Sequence, residues 1–253
     1  MTSDVVLQVS VAGGVATLTL DSPANRNALS RAMRAQLRTA VAEALADDAV
    51  RVLVLDHTGR VFCSGMDLAE AAGGGAQEQG VREFPEILAL IWSSPKPVLA
   101  VVRGPARAGG VGLLAACDVV VAASSSTFGF SEVRLGLVPA VISAVVLPRM
   151  LPHVAHRLML TGEVFGAAVA AAGGLVDLAV PDDEVDATVA AQVTALAAGA
   201  PVALAETKRL LRARQAALEF DQLLELSARF FAGEEGQEGI AAFREKRRAR
   251  WVP

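Results

Sequence analysis

The chain has 253 residues, of which 53% are hydrophobic and 20% charged, and its net charge is −4. This length suffices for one large domain with a buried core, and the interspersed acidic and basic residues argue against a nucleic-acid-binding surface. No uninterrupted apolar run of about 18 residues and no signal-peptide pattern is visible, so we expect no membrane span and a cytoplasmic location. The two cysteines, Cys63 and Cys117, do not make a disulfide framework, in keeping with a reducing compartment.

The amino-terminal segment predicts a β-hairpin followed by a helix. Two runs of β-forming residues, Val5–Val9 and Val15–Leu20, flank a Gly13-Gly14 pair, which is typical of a tight hairpin turn. Ser30 is a suitable N-cap for a helix over Arg31–Ala46, where apolar residues recur at helical spacing.

A strand and a glycine turn that leads into a helix then occur twice. In the first unit, the strand Val50–Leu55 precedes the turn Ser64–Asp67. In the second, the strand Val98–Val102 precedes the turn Ala108–Gly110 and a helix over Val111–Cys117. The alternation of strands and helices favours a layered α/β fold.

The rest of the chain becomes increasingly helical. The residues Ala72–Gly80 have weak structural preferences and predict a loop. Val119–Ala123 predicts one more strand, whereas the pattern from Asp183 onward is helical. We therefore expect an α/β core over residues 1–195 and a helical carboxy-terminal region over residues 196–253, without a sharp boundary between them.

Two glycine turns and one carboxylate form a candidate site. Backbone N–H groups point out of a helix N-terminus, and glycine allows a ligand to approach them closely. If the turns Ser64–Asp67 and Ala108–Gly110 each present one N–H, the pair can bind a single oxygen as an oxyanion hole, which typically contributes about 3 kcal/mol per donor to an enolate-like transition state. Glu132 could then move a proton at the adjacent carbon.

Each part of this site also has a structural interpretation. Glycine pairs at strand-to-helix turns usually only shape the turn, Glu132 alone is typical of a surface or capping carboxylate, and Asp67 is typical of an acid at a helix N-terminus. The three histidines show no metal-ligand spacing, and no Ser/His/Asp arrangement stands out. The glycine turns match neither a P-loop nor a dinucleotide fingerprint. We predict no metal site.

Together, these residues resemble the crotonase (enoyl-CoA hydratase/isomerase) superfamily over nearly the whole chain. The resemblance is carried by the stretches Asn25–Ser30, Phe62–Leu68, Gly104–Asp118, Phe128–Pro139 and Glu238–Arg247. It implies that Met66 and Gly109 donate the two oxyanion N–H groups and that Glu132 is the general acid/base. It also implies contacts to coenzyme A by residues of the first, second and last stretches, namely Ala28, Ser64, Asp67, Leu68, Phe243 and Lys246.

The resemblance carries further expectations about fold and assembly. It implies a spiral of ββα units with a helical carboxy-terminal region used for trimerisation, and hence a homotrimer or a hexamer formed as a dimer of trimers. It implies an acyl-CoA thioester substrate, as in fatty acid metabolism, and no separate cofactor, because coenzyme A is part of the substrate.

Three positions depart from the family pattern. Gly112 stands where the typical hydratase has its first catalytic glutamate, Ala108 replaces the first glycine of a triplet, and Ala140–Ser143 replaces a Gly-x-Gly-Gly run. The pattern at Gly112 and Ala140–Ser143 resembles the branch that hydrates glutaconyl-type CoA esters. Arg107 could pair with a carboxylate of such a substrate, although a surface or interface arginine is the alternative.

These observations predict an enzyme, and specifically a lyase. We expect an enoyl-CoA hydratase that adds water to a short or branched 2-enoyl-CoA, with a 3-methylglutaconyl-type ester as one candidate. The alternatives within the class are a Δ3–Δ2 enoyl-CoA isomerase and a decarboxylase, each using one glutamate. The alternative from another class is a non-catalytic acyl-CoA-binding protein.

Overall fold

The computed structural model describes residues 5–71, 82–213 and 220–250, so the predicted loop Ala72–Gly80 lies outside the described residues. The strands are β1 (Leu7–Ala12), β2 (Val15–Leu20), β3 (Val52–His57), β4 (Val98–Val102), β5 (Ala106–Arg107), β6 (Val119–Ala123), β7 (Thr127–Gly129), β8 (Val164–Gly166) and β9 (Leu178–Val180). The helices are α1 (Arg31–Ala46), α2 (Leu68–Ala71), α3 (Glu83–Ser93), α4 (Gly109–Ala116), α5 (Ala140–Val146), α6 (Pro152–Thr161), α7 (Ala167–Ala172), α8 (Val185–Ala198), α9 (Pro201–Ala213), α10 (Phe220–Ala232) and α11 (Glu234–Arg244).

A six-stranded sheet in the order β1-β2-β3-β4-β6-β9 forms the centre of the molecule. Strands β1 and β2 pair antiparallel, and every later pairing in this sheet is parallel. The hairpin turn has positive φ at both Gly13 and Gly14, the backbone conformation that a two-residue turn needs to match the twist of its strands. The predicted hairpin and the predicted α/β fold class are both confirmed.

The central strands β3, β4 and β6 are buried on both faces and are therefore almost continuously apolar. Along β4, Ala100 and Val102 face the larger core, which also contains residues of α1, α3 and α4. Leu99 and Val101 face the opposite side, where Val185 and partly buried residues of α8 pack against the sheet. This period of two follows from the geometry of a strand and gives the sheet a helical layer on each side.

A second sheet, of three strands, positions one part of the candidate site. Its order is β5-β7-β8, and β5 pairs parallel with β7. The pairing continues into the turn after β5, where the N–H of Ala108 donates to the carbonyl of Gly129 at 3.0 Å. The second glycine turn is therefore held next to the chain that leads to Glu132.

The carboxy-terminal helices return to the core. The ammonium of Lys208 on α9 lies 2.7 Å from the carboxylate of Asp118, which follows α4. Helix α10 packs against α5. Within the described ranges, no single helix is long and apolar enough to cross a bilayer, and residues 182–198 and 201–212 meet that test only as a pair bent by 105°.

Candidate active site

The two glycine turns lie side by side at the carboxyl ends of β3 and β4. Cys63 and Ala106 form a parallel β-bridge, and the N–H of Arg107 donates to the carbonyl of Cys63 at 3.0 Å. A Cβ atom at residue 65 would lie 3.1 Å from Cβ of Ala108 and 3.4 Å from N of Gly109, and Gly65 has a φ of +91°. Only glycine combines this backbone conformation with so close an approach.

Leu29 holds the first turn against the second. Its N–H donates to the carbonyl of Gly65 at 2.8 Å, and it forms a parallel bridge with Met66. Its Cδ1 atom would lie 2.8 Å from a Cβ at Gly109. The carbonyl of Leu29 in turn accepts a 2.5 Å hydrogen bond from the fully buried guanidinium of Arg34. One residue therefore contacts both turns.

The second turn enters α4 through a strained residue. Ala108 has a φ of +46° and a ψ of −116°, a backbone conformation that costs a residue with a Cβ atom about 1–3 kcal/mol. Its carbonyl accepts from the N–H groups of Val111 and Gly112 at 2.9 and 3.1 Å, which starts the helix. Gly109 is therefore the first residue of α4.

Two backbone donors are left without partners in this region. Across the described parts of the chain, the N–H groups of Met66 and Gly109 donate to no other protein atom. For Gly109 the reason is general, since the first N–H groups of a helix have no intrahelical acceptor. Each turn thus contains one backbone donor without an acceptor among the described residues.

Glu132 supplies an ionisable group to the same region. It begins a short 3-10 helix, Glu132–Leu135, and its carbonyl accepts from the N–H of Leu137 at 2.9 Å. The side chain is only 8% exposed, and its Oε2 atom has no hydrogen-bond partner among the described residues. Burial raises the pKa of Glu132 to about 7, and a hydrogen bond from its own N–H offsets this only in part. Near neutral pH the carboxyl group can therefore both accept and donate a proton.

The carboxylate and both turns line one cleft, which is otherwise mostly apolar. Of the described residues that line it, only Glu132 is titratable. The lining residues are Ser64, Met66, Leu68, Phe84, Ala108, Gly109, Ser131, Glu132, Leu135, Leu137, Val138, Pro139, Ala140, Val141, Ile142, Ser227 and Phe231. The cleft therefore brings together apolar side chains, one ionisable carboxyl group and two turns that each contain a backbone N–H without an acceptor among the described residues.

Comparison with known proteins agrees with this geometry. The sequence pattern described as enoyl-CoA hydratase/isomerase matches residues 10–252. The chain belongs to the enoyl-CoA hydratase/isomerase family, within the crotonase superfamily.

Individual members of the family are similar over almost their full length. A probable enoyl-CoA hydratase of Rhodobacter capsulatus is 38% identical over 249 residues, which cover 95% of each chain. The crystal structure of an enoyl-CoA hydratase from Mycobacterium avium superposes with a TM-score of 0.87 at 40% identity, covering 98% of this chain and 100% of that one. A methylmalonyl-CoA decarboxylase in complex with 2-nitronate-propionyl-CoA reaches a TM-score of 0.85 at 26% identity, covering 97% of this chain and 98% of that one.

The predicted coenzyme A contacts of the amino-terminal half lie at or near the cleft. Ser64 and Leu68 line it, and Ala28 is buried beside Leu29. Asp67 accepts hydrogen bonds from the N–H groups of Ala69 and Glu70 at 2.9 and 3.4 Å. Its carboxylate therefore caps α2, as its structural interpretation expects.

The predicted contacts of the carboxy-terminal half lie elsewhere. Phe243, near the end of α11, is 52% exposed and lines a separate surface groove with Leu160, Arg247 and Arg248. Lys246 is exposed and follows α11 with a φ of +54°. Within a single chain, neither residue lines the cleft that contains Glu132.

Arg107 does not face the cleft either. Its guanidinium donates to the carbonyl of Ala106 at 2.9 Å, and to the carbonyl and hydroxyl of Thr127 at 2.7 and 2.9 Å. The side chain is thus engaged with β7 and is not among the lining residues. The contacts of Arg107 give no support to a role in binding a substrate carboxylate.

Sequence reasoning missed the side chains that give the cleft its apolar walls. Phe84 on α3, Ile142 on α5 and Phe231 on α10 come from distant parts of the chain. Each sits at an apolar position of a helix, where the periodic pattern only indicates a side chain that faces the core. Within the described ranges, no group of three or more His, Cys, Asp or Glu side chains could hold a metal ion.

Proposed function

We propose that this chain is an enoyl-CoA hydratase that uses Glu132 as its single proton-transfer group. The observation that carries the proposal is that the buried Oε2 of Glu132 has no partner among the described residues and lies in the same cleft as Met66 and Gly109, whose N–H groups donate to none of those residues. A buried carboxylate without partners lowers stability, and such groups are characteristic of functional sites.

The proposed reaction needs only these three groups. The Glu132 carboxylate removes a proton from water as the oxygen bonds to C3 of the 2-enoyl thioester. The π electrons of the double bond move toward the thioester, and the N–H groups of Met66 and Gly109 bind the enolate oxygen that forms. The protonated Glu132 then delivers its proton to C2. The net change is the addition of one water molecule, and Glu132 is regenerated.

The lining of the cleft supports the proposal that the acyl group of the substrate is uncharged. The residues around Glu132 are mainly aliphatic and aromatic, and no cationic side chain lines the cleft among the described residues. A carboxylate on the acyl chain would lose its hydration there without gaining a partner, which is costly. We therefore favour a short or branched hydrocarbon chain over a glutaconyl-type ester.

Coenzyme A itself is proposed to extend out of this cleft past Ser64 and Leu68. In a homotrimer, or a hexamer made of two trimers, Phe243 and Lys246 of one subunit would reach the nucleotide end of the coenzyme A bound by the next. Their exposure and their separation from the cleft within one chain agree with this arrangement.

A Δ3–Δ2 enoyl-CoA isomerase is the second candidate, and one observation favours it. No second carboxylate lines the cleft in the described part of the chain, and isomerisation requires only one. Glu132 would remove a proton from C2 of the 3-enoyl thioester, the two N–H groups would bind the dienolate oxygen, and Glu132 would return the proton to C4.

Spectrophotometry of the purified protein tests both candidates. Hydration of crotonyl-CoA removes the absorbance of the conjugated thioester, whereas isomerisation of a 3-enoyl-CoA creates it. We expect wild type to consume crotonyl-CoA, and Glu132→Gln to lose roughly 10²–10⁴-fold in rate. The matched control is Glu206→Gln, which changes an exposed glutamate on α9 and should leave the rate unchanged.

Other outcomes point to the other candidates. Turnover of the 3-enoyl-CoA alone would identify an isomerase. Release of carbon dioxide from a 2-carboxyacyl-CoA, with no hydration, would identify a decarboxylase. A thermal shift with crotonyl-CoA, without turnover of any of these thioesters, would identify a binding protein, since a ligand that binds only the folded state raises its stability.

A further inference from the structure

The backbone of Gly112 is covered by a side chain from another helix. A Cβ atom at residue 112 would lie only 2.5 Å from Cγ2 and 3.1 Å from Cβ of Ile142. The same atom would lie 3.5 Å from Cζ of Phe84. Real Cβ atoms do not approach other atoms to 2.5 Å, so α4 and α5 can be this close only because residue 112 has no side chain.

Ile142 thereby forms the part of the cleft wall to which Gly112, without a side chain, cannot contribute. The side chain of Ile142 is 3% exposed and lines the cleft, and Phe84 lines it as well. Gly112 is buried beneath them. A side chain at residue 112 and the isoleucine at residue 142 therefore compete for one volume, and here the apolar side chain on α5 occupies it.

We propose that Ile142 is the specificity-determining residue of this cleft, and that it selects short, uncharged acyl chains by filling the space left at Gly112. The inference rests on the proposed function, because it assumes that an acyl-CoA occupies the cleft. A well-packed apolar wall discriminates chain length by steric exclusion, at about 10-fold or more per methylene group.

The first experiment measures binding and needs no turnover. Isothermal titration gives the dissociation constants of butyryl-CoA and octanoyl-CoA, two saturated thioesters that cannot be hydrated. We expect Ile142→Ala to shift the ratio of these constants toward octanoyl-CoA by about 10-fold or more. Val145→Ala is the matched control, because Val145 is equally buried on α5 but does not line the cleft. It should leave the ratio unchanged.

The second experiment tests the competition for one volume. Gly112→Ala should lower the melting temperature although alanine is the better helix former, because its methyl group meets Ile142. When Ile142 is also replaced by alanine, the Gly112→Ala change should cost less stability. The double variant should therefore be more stable than the sum of the two single effects predicts. If Gly112→Ala does not fold, a double variant that does fold would equally show that the two side chains compete for one volume.

The outcomes separate this proposal from the proposed function. An unchanged binding ratio in Ile142→Ala would overturn the role of Ile142, whatever the enzyme catalyses. If the stability changes of the two single variants were strictly additive in the double variant, the claim that residue 112 and Ile142 compete for one volume would be overturned. A shifted ratio without any hydration of crotonyl-CoA would refute the hydratase and support the role of Ile142. No binding of either thioester to wild type would refute both.

Discussion

Two poorly exposed carboxylates of this molecule differ in their hydrogen-bond partners. Asp118 accepts hydrogen bonds from the N–H of Val98 at 2.8 Å, the ammonium of Lys208 at 2.7 Å and the guanidinium of Arg212 at 2.9 Å. Glu132 is more deeply buried, yet its Oε2 atom has no partner in the part of the chain that the structure describes. Polar groups buried in a folded protein are normally hydrogen-bonded. Asp118 is thus engaged by three donors from two other elements, whereas one oxygen of Glu132 is engaged by none among the described residues.

Replacing Asp118 should produce the larger change in stability. Asp118→Asn keeps the shape of the side chain but leaves Lys208 and Arg212 without a carboxylate. We expect the free energy of unfolding to fall by about 2–4 kcal/mol. Urea denaturation measures this, with Glu206→Gln as a surface control that should change it by less than about 1 kcal/mol. A loss as small as that of the control would contradict the structural role of Asp118.

Replacing Glu132 should raise the free energy of unfolding instead of lowering it. The folded state raises the pKa of Glu132 from 4.5 to about 7, so wild type loses stability as the pH rises through this window. Glu132→Gln removes that loss and should be more stable than wild type at pH 8, by up to roughly 3 kcal/mol. At pH 4 the difference should nearly vanish. Equal stabilities of the two proteins at pH 8 would show that Glu132 is hydrated or paired in solution.

The same pKa predicts the pH dependence of the reaction. The proposed base must be ionised in the free enzyme, so kcat/KM for crotonyl-CoA should rise about tenfold per pH unit below 7 and level off above it. Initial rates between pH 5 and 9 measure the profile. A plateau that already begins near pH 5 would mean that the carboxylate has an ordinary pKa and a polar environment.

The smallest expected effect concerns the strained turn. Ala108→Gly should relieve the unfavourable dihedral angles and raise the free energy of unfolding by about 1 kcal/mol, since the strain relieved exceeds the added freedom of the unfolded chain. Thermal melting measures it. Ala122→Gly in β6 is a suitable comparison, because Ala122 lies inside a strand and has no positive φ, and this change should be destabilising.

Local sequence patterns predicted the regular elements better than the irregular ones. The hairpin at Gly13-Gly14 and the buried strand Val98–Val102 could be predicted because turn chemistry and continuous apolar runs are local signals. The short strands β5, β7 and β8 could not, because two or three residues carry no periodicity. The turns at Gly65 and Gly109 were visible as sequence motifs, but the roles of Met66, Gly109 and Glu132 stay predictions until they are measured.

The α/β class, the family and the positions of two glycine turns and one carboxylate could be predicted from local sequence patterns alone. The folded structure was needed to see that these groups share one cleft, that Oε2 of Glu132 has no partner among the described residues, and that Ile142 covers Gly112. The sequence could not predict these features because desolvation and steric exclusion depend on atoms brought together from distant parts of the chain. A carboxylate acquires an unusual pKa from what surrounds it, and the residues of α3, α5 and α10 that surround Glu132 meet only in the folded protein.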